Sequence, residues 1–199
     1  MCILYIGNHI RISCNVTCFY FCLETASVCS REIGKYQNFH LHILPKMVLC
    51  RALGGKVGKS DSGWDIGLRK VNIVKDFSPC SFLETFVETP PALTIIECHQ
   101  DEVWEVPTGA QVIAFSDKTG VEMFTIGDHI LGIQGHPEYP KDILNNLIDR
   151  LLNQDSIETE LANVARSKLE TADPDNKCWQ EICKAFLKGY WNPYLSIEQ

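Results

Sequence analysis

The segment Asp128–Pro140 constrains this chain most, because an apolar run within it ends in a group of polar residues. The run contains Ile130, Leu131 and Ile133, and it leads into His136-Pro137-Glu138. A short apolar run bounded by turn residues predicts a buried strand. A residue that precedes proline is restricted to extended backbone, so we expect His136 to be extended rather than helical. The sequence therefore predicts a strand that stops at a polar site.

His136 and Glu138 are two positions apart, which places them on the same side of an extended segment. The carboxylate of Glu138 can then hold one ring nitrogen of His136 and leave the other nitrogen free to accept a proton. This arrangement is the base and its orienting partner in a nucleophilic triad. The alternative is a strand end whose polar side chains simply face water.

Composition limits the class of protein. The chain of 199 residues is 45% hydrophobic and 22% charged, as expected for one soluble globular domain. A net charge of −7 without a basic stripe argues against a nucleic-acid partner. Polar residues interrupt the apolar, cysteine-rich segment 1–23, so we expect no membrane span and no secretory signal there. No other residues complete a set of metal ligands with the cysteines of this segment, so we expect no metal site there.

Hydrophobic periodicity predicts the secondary structure of the body. We expect strands at 70–76, 92–98, 111–116 and 121–126, the last two joined by a hairpin turn. A short helix is predicted to begin at 81–84, and the segment 51–53 should end a helix at Gly54-Gly55. Three further helices are predicted after Pro140, with buried apolar stripes. The residues of those stripes are Ile143, Leu144, Leu147, Ile148, Leu151 and Leu152, then Ile157, Leu161 and Val164, then Trp179, Ile182, Cys183 and Phe186.

Gly54–Ser60 is similar to a phosphate-binding loop, but one residue is missing between its first glycine and Gly58-Lys59-Ser60. We therefore do not expect a nucleotide to bind there. The predicted strand 92–98 ends at His99 and Asp101, at the position where open α/β sheets bind ligands. The alternative for these two residues is a turn that forms its own hydrogen bonds.

Three segments, in this order, resemble class I glutamine amidotransferase-like proteins, and in particular the plant γ-glutamyl peptidase branch. They are Gly63–Gly67, His99–Pro107 and Gly132–Pro140. The resemblance covers roughly residues 47–194. Amidotransferases proper usually carry Phe between Gln134 and His136, whereas this chain carries Gly135, which fits the peptidase branch better.

The resemblance implies an α/β fold, with a three-layer, flavodoxin-like sheet flanked by helices. It implies a cytosolic cysteine hydrolase of glutathione and glucosinolate metabolism that cleaves the γ-glutamyl bond of glutathione conjugates or γ-glutamyl peptides. Such an enzyme uses no cofactor and no metal. His136 would be the base and Glu138 its orienting partner, while His99, Asp101 and Gln134 would bind substrate.

The nucleophile that the family requires is missing. Its members carry Gly-x-Cys-x-Gly-His-Gln before the segment that corresponds to Val48–Gly58, and this register places Ile43 at the position of the cysteine. We therefore expect residues 1–46 to be an atypical cysteine-rich segment unrelated to the family, introduced by a different gene start or transcript. Residues 47–199 would be the C-terminal part of an amidotransferase-like domain whose N-terminal part is incomplete or replaced.

Several functions remain open on this interpretation. The first is a γ-glutamyl peptidase-like hydrolase that is inactive because its nucleophile is absent. The others are a catalytically dead protein that binds γ-glutamyl ligands, a fragment that does not fold stably, and a glutamine amidotransferase subunit. Cys50 is a candidate substitute nucleophile, but it lies on a helix at least one turn beyond the expected position.

Overall fold

The structure, a computed structural model, describes residues 2–6, 9–13, 46–75, 89–127 and 130–190. Ile43, nearly all of the segment 14–46 and the helix predicted at 81–84 lie outside these residues. The described strands are β1 Cys2–Ile6, β2 His9–Ser13, β3 Lys56–Lys59, β4 Asp65–Ile73, β5 Ala92–His99, β6 Asp101–Glu105, β7 Gln111–Phe115, β8 Met123–Ile126 and β9 Ile130–Ile133. The described helices are α1 Lys46–Ala52, α2 Lys141–Asn153, α3 Thr159–Thr171 and α4 Asn176–Tyr190.

Five strands form the main sheet in the order β5-β4-β7-β8-β9, and every neighbouring pair is antiparallel. Strand β3 pairs with β6, and β1 pairs with β2, in two separate two-stranded sheets. The strands predicted at 92–98, 111–116 and 121–126 are confirmed, as is the hairpin between the last two. The strand predicted at 70–76 begins earlier, at Asp65, and ends at Ile73.

Helices cover both faces of the main sheet, which gives the predicted three layers. Alternate residues of β4 face opposite sides: Ile66 and Leu68 pack with α2 and α3, whereas Val71 and Ile73 pack with α4. This alternation is the period of two that a strand imposes on its side chains. A third apolar cluster joins Leu49 of α1 to β6 and β8. The core therefore lies on both sides of the sheet and beneath α1.

The apolar stripes of the helices are only partly as predicted. Leu144, Ile148 and Leu151 of α2 are buried, but Ile143 is exposed. On α3 the prediction was wrong for Val164, which is 48% exposed, because Ala162, Ala165 and Leu169 face the sheet instead. Small side chains let this helix approach β4 closely: the Cα of Ala165 lies 3.5 Å from the place where a Cβ on Gly67 would be.

Strand β5 and helix α4 are joined by a local network at Thr94. The backbone N–H of Thr94 donates to Asp175 Oδ2 at 2.7 Å, and the carbonyl of Thr94 accepts from the backbone N–H of Asp175 at 2.9 Å. The same carbonyl accepts from Trp179 Nε1 at 3.0 Å. Trp179, Ile182 and Phe186 are buried as predicted, while Cys183 is half-buried. The helix continues to Tyr190.

Helix α1 ends at the predicted glycine pair. Gly54 adopts a φ of 90°, a left-handed conformation that disfavours side chains. The N–H groups of Gly54 and Gly55 donate to the carbonyls of Arg51 and Cys50, the pattern of a Schellman cap. The residues that follow form strand β3 rather than a loop that opens a helix, so the geometry of a phosphate-binding loop is absent there. Among the described helices, none is long and apolar enough to cross a membrane.

Candidate functional site

The turn after β9 fixes the position of His136. The backbone N–H of Gln134 donates to the carbonyl of Glu122 at 2.8 Å, and the N–H of His136 donates to the carbonyl of Ile96 at 2.8 Å. The turn is therefore tied to β5 on one side and to the residue before β8 on the other. His136 lies outside any helix, as its position before Pro137 predicts.

The structure brings His136 and Glu138 together. Nδ1 of His136 lies 3.1 Å from Oε1 of Glu138, and both side chains are about one quarter exposed. The imidazole stacks on the ring of Tyr139 with a centroid distance of 4.0 Å and an interplanar angle of 2°. Tyr139 is itself buried. An imidazole held by a carboxylate at one nitrogen and by a ring on one face is oriented as a general base requires.

Cys50, Cys98 and Cys183 are poor candidates for the nucleophile that this pair would serve. Cys50 is fully buried, its Sγ lies 3.4 Å from the carbonyl oxygen of Glu105, and burial raises its pKa. Burial also raises the pKa of Cys98 and of Cys183 to about 11, so both thiols are protonated at neutral pH. A protonated, buried thiol is a poor nucleophile. The expected nucleophile position, Ile43, lies outside the described residues.

The predicted substrate-binding residues meet at one backbone carbonyl. His99 ends β5 and is buried, with Nδ1 2.9 Å from the carbonyl oxygen of Asp101. Nε2 of Gln134 lies 3.5 Å from the same oxygen, and Gln134 is also buried. Asp101 is half-buried and begins β6. The ring of His99 is therefore held inside the protein, and its role and those of Asp101 and Gln134 in substrate binding stay predictions.

A second polar site was not predicted from the sequence. Glu97 on β5, His99 at its end and Glu122 before β8 are all buried, and one donor atom from each lies within 4.8 Å of the others. We call these three residues the buried cluster. The carboxylate oxygens of Glu97 and Glu122 and Nε2 of His99 form no hydrogen bond of ordinary geometry among the described residues, although close side-chain contacts of Glu97 with Glu122 and of Glu122 with Ser116 partly offset the rise in pKa that burial causes in the two acids. Glu97 Oε2 lies 3.3 Å from His99 Nε2, but without hydrogen-bond orientation.

Burial dominates the electrostatics of the buried cluster. Removal from water, together with the proximity of other carboxylates, raises the pKa of Glu97 and of Glu122 to about 8, and Lys46 partly opposes this rise. The same desolvation lowers the pKa of His99. Lys46, at the start of α1, is 1% exposed and donates through Nζ to the carbonyl of Val121. Desolvation lowers its pKa to about 8, which Glu122 and Glu97 partly oppose.

Gly135 connects the two sites. A Cβ at this position would lie 2.3 Å from Glu97 Oε1 and 2.8 Å from Ile95 Cδ1. The carboxyl group of Glu97 thus occupies the space that a side chain at position 135 would need. The signals in the sequence were the acidic residues inside apolar runs, Glu97 in Ile95–Cys98 and Glu122 in Val121–Phe124. An acid inside a buried strand indicates a polar contact that the local pattern does not identify.

A polar groove on the surface lies between α2 and α3 and does not include either site. Lys141, Asp149 and Arg166 line it. Arg166 forms an ion pair with Asp149, and Lys141 forms one with Asp173. The basic groups in the groove are therefore already paired, and it carries no chemistry of its own.

Together, the fold and the oriented imidazole define a class of protein. It is a three-layer amidotransferase-type domain with a histidine–carboxylate pair at a strand end. The glutamine amidotransferase class-I family profile matches residues 47–149, just over half of the chain. The chain belongs to this family, and the resemblance seen in its three segments is confirmed.

The relatives of similar sequence include γ-glutamyl peptidases of Arabidopsis thaliana. γ-Glutamyl peptidase 3 is 49% identical over 142 residues, which cover 71% of this chain and 57% of that protein. γ-Glutamyl peptidase 2 is 43% identical over 169 residues, which cover 84% of this chain and 66% of that protein. The chain spans a little over half of the length of the first relatives it matches.

Solved structures of similar fold include a glutamine amidotransferase from Thermotoga maritima. Its TM-score is 0.60 at 22% identity, over 91% of this chain and 75% of that chain. A glutamine amidotransferase from Methylobacillus flagellatus gives a TM-score of 0.56 at 15% identity, over 84% and 69% of the two chains. At these identities the likeness concerns the fold, and it confirms the predicted flavodoxin-like class.

Proposed function

We propose that this chain carries the base and orienting half of a γ-glutamyl peptidase-like cysteine hydrolase. The observation that carries the proposal is the 3.1 Å contact between His136 Nδ1 and Glu138 Oε1 in a chain 49% identical to a γ-glutamyl peptidase. With Nδ1 held by the carboxylate, Nε2 is the ring nitrogen left for proton transfer. Residues 47–199 would form the amidotransferase-like part, and residues 1–46 a segment unrelated to it.

The chemistry of the complete site follows from the roles of the two residues. Nε2 of His136 takes the proton of a cysteine thiol, and the thiolate attacks the γ-glutamyl carbonyl carbon. The tetrahedral intermediate collapses, the amide C–N bond breaks, and His136 returns the proton to the leaving amine. Water, deprotonated by His136, then hydrolyses the thioester and releases glutamate and the thiol. Glu138 holds the imidazole in one tautomer and stabilises the imidazolium between these steps.

This chain on its own is inactive in our proposal, because position 43 is isoleucine and burial raises the pKa of the thiols of Cys50, Cys98 and Cys183. Purified chain incubated with glutathione should release no cysteinylglycine above the level given by a His136→Ala variant. Release of cysteinylglycine by the wild-type chain but not by the variant would overturn the proposed inactivity. It would still support a catalytic role for His136. Equal release by both proteins would indicate a contaminant.

A binding protein without catalysis is the second candidate, since the histidine–carboxylate pair is assembled although Ile43 occupies the nucleophile position. Calorimetric titration with a glutathione S-conjugate at millimolar concentration should then give heat that the His136→Ala variant reduces. No heat from the wild-type chain would exclude this function. A parallel thermal melt distinguishes a folded, non-binding chain, which melts cooperatively, from an unstable fragment, which does not.

The family profile also favours comparison with a glutamine amidotransferase subunit, the remaining candidate. Titration with glutamine in place of the conjugate separates the two, because an amidotransferase pocket should bind glutamine and a peptidase pocket should prefer the longer γ-glutamyl ligand. We propose a cytosolic protein with γ-glutamyl ligands, and with neither a nucleic-acid partner nor a membrane partner. The net charge of −7 supports the exclusion of nucleic acid.

A further inference from the structure

The buried cluster carries an inference that does not depend on the proposed function. We propose that Glu97, His99 and Glu122 bind one divalent cation, of the kind that oxygen and imidazole ligands favour and for which Mn²⁺ is the appropriate probe. This departs from the expectation of a protein without a metal site. The proposal rests on the position of the donor atoms, the absence of ordinary hydrogen bonds to them among the described residues, and the fixed tautomer of the histidine.

The donor atoms are already close to a coordination geometry. One atom from each of the three residues lies within 4.8 Å of the other two. Metal–ligand bonds of about 2.1 Å place neighbouring donor atoms about 3 to 4 Å apart, so rotation of the carboxyl groups is enough to close the site. Two segments contribute, since Glu97 and His99 belong to β5 and Glu122 precedes β8.

The imidazole points an acceptor nitrogen at the two carboxyl groups. Nδ1 of His99 lies 2.9 Å from the carbonyl oxygen of Asp101, which has no hydrogen to donate, so Nδ1 carries the proton. Nε2 therefore carries the lone pair, and it lies 3.3 Å from Glu97 Oε2. A histidine whose other nitrogen donates to a backbone carbonyl is the usual arrangement of a metal ligand.

No positively charged group forms a hydrogen bond with the acceptor atoms of the cluster among the described residues. Glu97 is 0%, Glu122 2% and His99 8% exposed, and five of their donor atoms form no hydrogen bond of ordinary geometry within the described part of the chain. Buried acceptors that face one another are costly unless a proton or a cation lies between them. Two carboxylates balance the charge of one divalent ion, and the neutral imidazole completes three protein ligands.

Lys46 is the competitor for this position. Its buried ammonium group contributes positive charge near both carboxylates, but its Nζ donates to the carbonyl of Val121. A second cation in the same region weakens the binding of the first by repulsion. Replacement of Lys46 by methionine, which has similar length and no charge, should therefore strengthen metal binding.

The choice of Mn²⁺ follows from the ligands and from the rest of the chain. Two carboxylates and one imidazole suit Mn²⁺, whereas thiolates select Zn²⁺ and Cu⁺. The chain contains ten cysteines, which would bind Zn²⁺ elsewhere. Mn²⁺ therefore reports on the buried cluster with little interference from thiols.

The test uses the full 199-residue chain, freed of metal with a chelator and titrated with Mn²⁺ while the electron paramagnetic resonance signal of free Mn²⁺ is measured. We expect one bound ion per chain, and coupling to a single imidazole nitrogen in electron spin echo spectra. Glu122→Gln and His99→Gln should each weaken binding on the order of 100-fold or more, since loss of an outer partner alone costs up to about 100-fold. Lys46→Met should strengthen it.

The matched control is Glu105→Gln, the same substitution in an exposed ion pair with Lys56, which should leave the affinity unchanged. Failure of the wild-type chain to bind Mn²⁺ at millimolar concentration would overturn the proposal and indicate that protons alone satisfy the cluster. Binding without nitrogen coupling, or binding that His99→Gln leaves intact, would also overturn it. If a variant does not fold, as judged by circular dichroism, the electron spin echo spectrum of the wild-type chain still tests the proposal. The coupling to the imidazole nitrogen is measured on the wild-type chain alone.

Discussion

The two polar sites of this chain differ in where their contacts come from. The His136–Glu138 pair consists of residues two positions apart, partly exposed, at the end of one strand. The buried cluster consists of residues from β5 and from the segment before β8, and it is sealed from water. We expect replacement of the first pair to cost little in folding, whereas the second is built into the core. The two sites meet at the turn Gln134–His136, where Glu97 lies beside Gly135.

The largest effect on stability is expected at Gly135, which is adjacent to His136 in the chain and lies beside Glu97 of the buried cluster. Gly135→Ala places a Cβ 2.3 Å from Glu97 Oε1 in the observed geometry, so the carboxyl group must move within a packed interior. We expect the free energy of unfolding to fall by about 2 to 3 kcal/mol, typical of overpacking. Chemical denaturation measures it. Gly120→Ala is the control, because a Cβ there meets nothing within 4 Å.

A double-mutant cycle separates this contact from general effects of the substitution. With Glu97→Ala in the background, Gly135→Ala should cost much less, since the colliding atom has been removed. An unchanged cost would show that Glu97 and position 135 are not coupled.

The second effect is a dependence of stability on pH in the metal-free protein. The pKa values of Glu97 and Glu122 rise from 4.5 to about 8 on folding, so the folded state holds more protons and stability falls as the pH rises from about 5 to 8. The slope should approach about 1.4 kcal/mol per pH unit for each carboxyl group, reduced by their mutual coupling. Urea denaturation as a function of pH measures it.

Lys46 and His99 also affect the dependence of stability on pH. Folding lowers the pKa of Lys46 from 10.5 to about 8, so stability should rise again between pH 8 and 10.5 and leave a minimum near pH 8. His99, whose pKa is lowered from 6.5, opposes the fall in the window just below pH 6.5. Glu97→Gln should flatten the fall towards pH 8, and Glu105→Gln on the surface should not. If the free energy of unfolding rose between pH 5 and pH 8, the result would contradict the prediction that folding raises the pKa of Glu97 and Glu122.

A smaller effect is expected at Tyr139, whose ring lies parallel to the imidazole of His136 at 4.0 Å. Tyr139→Leu removes the stack and should cost about 1 kcal/mol of stability, as loss of an aromatic pair usually does. The nuclear magnetic resonance signal of the His136 Cε1 proton should move downfield when the ring above it is lost. An unchanged signal would mean that the two rings are not stacked in solution.

The smallest effect is expected at Glu138. Glu138→Gln removes a partly exposed ion pair, which contributes little to folding, so the free energy of unfolding should change by less than about 0.5 kcal/mol. Thermal unfolding at neutral pH measures the change. A loss above about 2 kcal/mol would place Glu138 with the buried cluster as a structural residue and would end the contrast between the two sites.

Much of the fold could be predicted because local periodicity specifies it. The apolar runs in β5, β7 and β8 and the spacing of Trp179, Ile182 and Phe186 each reflect residues that must be buried. Val164 was misplaced because periodicity alone does not reveal that Ala162 and Ala165 permit closer packing against Gly67. The contact between His136 and Glu138 was predictable for the same local reason, since two residues in one extended segment share a side.

The sequence by itself determined the strands β5, β7, β8 and β9, the helices after Pro140, the family, and the pair His136–Glu138, because each of these depends on residues that are neighbours along the chain; strands β3 and β6 were not predicted. Only the tertiary structure decided that Glu97, His99 and Glu122 meet, that Lys46 is buried near them, and that the carboxyl group of Glu97 fills the space beside Gly135. The physical reason is that the cost of a buried charge depends on what packs around it. That environment comes from segments far apart in sequence, which no local pattern describes.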